Sequence, residues 1–237
     1  GNVGLLPVTP GADLWHDPQR SGLGRFSRRP DLAALVLVLV FGAFANAAGM
    51  VGPVVEWQDR VGYPRLATTV FYLTACVLLP ALAAGGAAAL GRWWGRLPGT
   101  WRETAARGSF ALVPLGLAMW LAHCSFHFLT SWDGLLPAVE RFLIDLGCSG
   151  IGDPQWAYSC CTPVAGWLLR LEILALDVGL LLSLYAGWRI ALSQAPRRPQ
   201  ALQALAPWAV LMVLLFLAGV WIVMQPMQMR GTMQMAG

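Results

Sequence analysis

The chain has 237 residues, of which 57% are hydrophobic and only 12% charged, about half the ~25% charged fraction of an ordinary soluble domain. Its net charge of +4 is carried by 16 basic residues, all of them Arg. The composition excludes an ordinary soluble fold, and arginines set between apolar segments rather than in one patch exclude a nucleic-acid footprint.

Residues 1–30 form a polar leader punctuated by Pro and Gly, expected in the cytoplasm with His16. The chain opens on Gly1, with no charged stretch leading into an apolar run and a small-residue cleavage site. That opening reads as a processing site, an expression boundary or the cut end of a longer protein. A bilayer core of ~30 Å needs about 20 mainly apolar residues per helix. Five stretches meet that length, at 31–51, 66–90, 109–131, 165–190 and 204–224. The expected fold is therefore all-α, a polytopic membrane helix bundle of about five transmembrane helices plus one outer interfacial amphipathic helix.

The first stretch is rich in small residues. Ala43 with Ala47, and Ala45 with Gly49, make small-xxx-small pairs that let helix backbones approach closely. Ala81, Gly85 and Ala89 suggest a similar stripe in the second, where Pro80 predicts a kink. The fourth carries Arg170, Glu172 and Asp177 inside its apolar run, and the fifth leads into a Met-rich tail at 225–237.

Orientation follows from the arginines. Arg20, Arg25, Arg28, Arg29, Arg92, Arg96, Arg102, Arg107, Arg189, Arg197 and Arg198 fall on one side; Arg60, Arg65, Arg141 and Arg230, with Glu56, Asp59, Asp133, Glu140, Asp145 and Asp153, fall on the other. The N-terminus is then cytoplasmic and the C-terminus periplasmic or extracellular, in a bacterial inner membrane. Trp93, Trp94, Trp188 and Trp208 inside, and Trp57, Trp132 and Trp167 outside, suit interfacial belts. In the outer loop at 132–164, Val139, Phe142, Leu143 and Leu146 recur at helical spacing, which predicts a short amphipathic helix on the membrane surface. An internal repeat of the transporter kind is not evident.

Five cysteines are available for chemistry. Cys76 sits in a membrane stretch and is expected to pack; Cys148, Cys160 and Cys161 share the outer loop, where an oxidising compartment permits a disulfide from Cys148 to Cys160 or Cys161. The spacing of iron–sulfur ligands does not occur, so this chain alone is expected to hold no such cluster. His123 and His127 lie four residues apart on one helix face, a spacing that can hold a metal. The bland alternative is hydrogen bonding to neighbouring helices or water. Intramembrane ionisable groups are costly and tend to mark sites, which directs attention to His123, His127, Glu172, Arg170 and Asp177 as a proton or quinol site. Arg170 and Asp177 share a face, Glu172 points away from both, and Asn46, His123, Arg170 and Glu172 fall in the outer half. A structural ion pair from Arg170 to a neighbouring helix is the alternative. Met227 and Met229, with His123 and His127, form a second candidate set, because thioethers and imidazoles select Cu(I).

Three segments carry a family likeness. They are Leu-Ala-His-Cys-Ser-Phe-His-Phe-Leu-Thr at 121–130, Leu-Arg-Leu-Glu-Ile-Leu-Ala-Leu-Asp-Val-Gly at 169–179, and Met-Gln-Pro-Met-Gln-Met-Arg-Gly-Thr at 224–232. The order resembles the membrane region of bacterial polyferredoxin-type (4Fe-4S) integral membrane proteins. Gly1-Asn2-Val3-Gly4-Leu5-Leu6 looks like the stretch that follows the last Cys-Pro of a ferredoxin module. The resemblance implies a C-terminal membrane half that links a cytoplasmic Fe–S module, or another redox membrane subunit, to a quinol or an outer metal centre. An Fe–S cluster enters only through such an upstream module, since no cysteine here matches its ligands. Two further readings are a copper-handling protein with an outer His/Met site and a structural subunit whose small-residue helices dock a partner. Quinone and copper are thus the candidate cofactors, and the lipid bilayer is a partner in every reading.

Overall fold

The computed structural model describes residues 29–61, 63–148, 150, 152 and 166–226. Among them every regular element is helical and none is a strand. Helix α1 (Pro30–Ala48) begins where Pro30 needs no N–H partner, with the Arg29 guanidinium held by Asp31 in the first turn. A short amphipathic helix, α2 (Gly52–Arg60), follows between the first two apolar stretches. Arg60 donates to Glu56 one turn back at 3.0 Å.

The next apolar run is continuous in space but not uniform. Helix α3 (Pro64–Leu73) widens into a π-helical turn at Thr74–Leu78 and resumes as α4 (Leu79–Gly95). The wide turn sits just before Pro80, which has no N–H to return to the preceding turn, so the distortion expected at Pro80 takes this form. Arg96 ends α4 in the left-handed conformation, with φ of 48°. Thr100 and Glu103 then form a reciprocal capping box that starts α5 (Trp101–Ser109). A 3-10 turn at Phe110–Leu112 joins it to α6 (Val113–Thr130). The third membrane stretch therefore starts as helix about two turns earlier than its apolar composition implies, and Arg102 and Arg107 ride on it.

Helix α7 (Leu135–Asp145) matches the expected amphipathic segment. Arg141 and Asp145 pair at 3.2 Å, while Val139, Phe142 and Leu146 are exposed rather than packed on the bundle. Helices α8 (Gly166–Gln194) and α9 (Arg198–Val223) complete the fold. Among the described residues, four helical stretches are long and apolar enough to cross a membrane: Pro30–Ala48, Arg65–Gly95, Trp101–Thr130 and Arg198–Val223. The chain is a membrane protein, all-helical over its described residues.

Helix α8 packs against α6 on one side and α9 on the other; α9 in turn meets α4, and α1 rests on α5 and α6. Small residues set these distances, as expected where lipid removes the hydrophobic drive between helices and close packing replaces it. In α1, Ala43, Ala45, Ala47 and Gly49 are all buried. In α4 the stripe that packs is Ala84, Ala88, Gly91 and Gly95, whereas Ala81 and Ala89 are exposed. The sequence offered no contrast there, because small residues occupy every face between 83 and 89. The contact is fixed by α9: a Cβ on Gly91 would lie 2.6 Å from the Ala204 carbonyl oxygen. Trp208, expected at the interface, is instead buried, its ring lying against Gly108 of α5. A glycine there leaves room for the indole, which is why the ring turns inward.

Take as upper the end at which α1 and α6 finish and α8 begins. The Gly52 N–H donates to the Pro226 carbonyl at 2.9 Å and ties α2 to the upper end of α9.

Candidate functional site

One face of α8 is buried along its whole length: Leu168, Glu172, Leu176, Gly179, Ser183, Gly187 and Ala191. Their spacing of three or four residues is that of a single helix stripe. It contains one ionisable residue, Glu172, which is only 3% exposed. On α6 the buried residues are Leu115, Gly116, Ala118, Met119, Ala122, His123 and Thr130. Again one is ionisable: His123, 4% exposed.

Contacts at the lower end establish how these two stripes meet. The Leu115 N–H, an orphan donor of the first turn of α6, donates to the Ser183 hydroxyl oxygen at 3.0 Å. One turn up, Gly179 lies directly against Ala118, with the Leu115 Cα and Pro114 carbonyl each 3.2 Å from where its Cβ would be. Antiparallel progress from the Ala118–Gly179 contact brings Glu172, seven residues on and on the same face as Gly179, level with position 125 of α6, ~3 Å above His123 along the axis. The same layer follows from the other side. Gly219 of α9 holds Phe44 of α1 at 3.1 Å and Leu176 of α8 at 3.3 Å, measured from an ideal Cβ. Glu172 is one turn above Leu176. Gly116 of α6 abuts Val40 of α1, so His123, seven residues above Gly116, stands level with Ala47 of α1. His123 and Glu172 therefore share the layer above the Phe44–Leu176–Gly219 contact, where α1, α6, α8 and α9 come together.

Neither group is satisfied among the described residues: His123 Nδ1 and Glu172 Oε1 are buried and have no hydrogen-bond partner there. A buried polar atom left unpaired costs ~1–3 kcal/mol, and few survive in a native fold without a reason. His127, half-buried, meets the His123 ring edge to face at 4.5 Å and Phe126 at 5.6 Å. That contact packs one ring on the other.

The remaining expected site residues lie elsewhere. Arg170 and Asp177 are exposed on the face of α8 turned away from α6, so they do not join Glu172 and His123. Arg170 makes no ion pair with a neighbouring helix among the described residues. Asn46 is half-buried on α1, one residue before Ala47. Cys76 lies in the π-helical turn, Cys124 is exposed on α6, and Cys148 is an exposed thiol just past α7. Its expected partners Cys160 and Cys161, and the tail residues Met227 and Met229, lie outside the described residues, as do His16 and the leader through Arg28.

Among the described residues no three His, Cys, Asp or Glu side chains gather into a metal-holding group. The expected copper set joins His123 and His127 to Met227 and Met229, of which only the two histidines are among the described residues. Ser183 and Gly179, which position Glu172, were not singled out from sequence. Their signal was their spacing from Glu172, eleven and seven residues on along one stripe. Compared with family models, curated proteins and solved structures, the chain matches none.

Proposed function

We propose that this chain is the membrane part of a bacterial electron-transfer protein, with a quinol-linked proton site at His123 and Glu172. In this reading the bundle crosses the inner membrane five times, α8 joining the four stretches named above as a further span. The N-terminus is cytoplasmic, the upper end faces outward, and α7 lies in the outer interface. A cytoplasmic Fe–S module or partner subunit exchanges electrons with the membrane pool through it. The observation that carries the reading is the pair of orphaned buried atoms, His123 Nδ1 and Glu172 Oε1, on adjoining stripes of α6 and α8.

A quinone head group would supply two-electron, two-proton chemistry. The chain's own contribution is to hold and move protons. Imidazole and carboxylate can each take up and release one, and His123 can pass its proton up α6 toward His127, which is nearer the upper surface. Leu176, Phe44 and Gly219 close the layer from below, so protons leave upward rather than through the membrane.

The test is quinone binding by the purified full chain in lipid nanodiscs, followed by quenching of its tryptophans and by extraction of co-purified quinone. Glu172→Gln and His123→Ala should each weaken binding about tenfold or more, the loss of one hydrogen bond to a charged group (~1.5–3 kcal/mol). Asp177→Asn should leave binding unchanged. Absence of quinone from the wild-type chain, or unchanged binding in both site variants, overturns the assignment.

A further inference from the structure

The exposed face of α8 poses a separate problem. Asp177 lies 11 residues from Gly166 and 17 from Gln194, so it is ~16 Å from the nearer end of a helix ~43 Å long. Centred in a ~30 Å hydrocarbon core, that helix would place Asp177 ~10 Å inside the apolar region. Lys and Arg can snorkel from such depths along their long stems, but an Asp side chain is too short. Asp177 is exposed and makes no hydrogen bond or ion pair among the described residues. Its exposed neighbours on that face are Leu174, Val178 and Leu181. Arg170, two turns higher, falls at the interface, where its charge is tolerated.

We infer that this face of α8 docks a transmembrane helix of a different protein, one that sets a Lys, Arg or His against the Asp177 carboxylate. Charge complementarity selects that occupant. A second copy inserted in the same orientation, related by a two-fold along the membrane normal, would set Asp177 against Asp177 and Arg170 against Arg170 at equal depth. Like charges in hydrocarbon oppose that pairing. Lipid has nothing to offer a carboxylate at this depth. A helix carrying one cation, apolar elsewhere along Leu174, Val178 and Leu181, satisfies the acid and buries the leucines in one step.

This inference rests on α8 crossing the bilayer, as in the function proposed above. Its test places a photo-crosslinking residue at Leu181 of the full chain in native membranes, with adducts sequenced by mass spectrometry. The expected adduct is a transmembrane segment of another protein with a basic residue inside its apolar stretch. Its yield should fall about tenfold in Asp177→Asn, equivalent to ~1–2 kcal/mol for a polar contact in a membrane. Adducts to lipid alone, to a second copy of this chain, or in undiminished yield from Asp177→Asn overturn it. Val178→Cys separates the two levels of failure. If a water-soluble maleimide labels that thiol, α8 is outside the bilayer and both readings fall; if it does not and the cross-link is absent, only the docking surface falls.

Discussion

Glu172→Met is expected to make the bundle more stable. Glu172 is 3% exposed, its Oε1 has no partner, and Leu168 and Leu176 flank it on the same stripe. Met has nearly the same volume and length, so neither a cavity nor overpacking arises, and its helix propensity matches that of Glu. What changes is the removal of an unpaired buried polar group, worth ~1–3 kcal/mol. The unfolding equilibrium should shift by roughly 5- to 150-fold toward the folded state. Reversible unfolding of the purified chain in mixed micelles, followed by tryptophan fluorescence, measures it. The same variant should lose quinone binding, so stability and function move in opposite directions. Destabilisation by 1 kcal/mol or more would show that Glu172 has a partner inside the fold, and the reasoning from its orphaned oxygen would be wrong.

Ser183→Ala is the counterpart, because this buried hydroxyl does have a partner: losing it strands the Leu115 N–H and should cost ~1–2 kcal/mol in the same assay. Gly91→Val forces a side chain into the Ala204 carbonyl at 2.6 Å and should destabilise by ~1–3 kcal/mol, whereas Gly86→Val, with nothing within 4 Å, should be tolerated within ~1 kcal/mol. Thr100→Ala removes one half of the capping box and should cost ~1 kcal/mol, read as fraying of α5 by hydrogen exchange at Glu103 and Thr104. A membrane-impermeant maleimide applied from the periplasmic side should label Cys148 and spare Cys76; labelling from the cytoplasmic side alone would reverse the proposed orientation.

The helical class and the apolar stretches were legible because hydropathy over about twenty residues is a property of composition, and the bilayer demands that length whatever the packing. The α7 helix was legible from four apolar residues at helical spacing. What composition could not supply was rotation about each helix axis. Small residues surround α4, so the stripe at Ala81, Gly85 and Ala89 looked as good as the one at Ala84, Ala88 and Gly91 that meets Ala204. Trp208 looked interfacial because it sits near a span boundary, and only the glycine at 108, a hundred residues away, shows why the indole turns inward. Capping at Thr100 was readable in principle, since Thr-x-x-Glu precedes the run. It was hidden by Arg102 and Arg107, which pull the apolar boundary forward.

The candidate site shows the same division. Helical periodicity already separates Glu172 from Arg170 and Asp177, five residues being about a turn and a half. It does not say which side is inward. Gly179 decides that, because its lack of a Cβ admits Ala118, and this contact turns Glu172 toward α6 and Asp177 away. Two acids on one helix thus receive opposite environments from a single glycine. Gly179→Leu should consequently disturb both at once, spreading α6 from α8 around Glu172 and rotating Asp177 off its outward bearing. A variant that altered quinone binding while leaving the Leu181 cross-link intact would show that the two faces of α8 are positioned independently, and that the glycine contact is not what orients the helix.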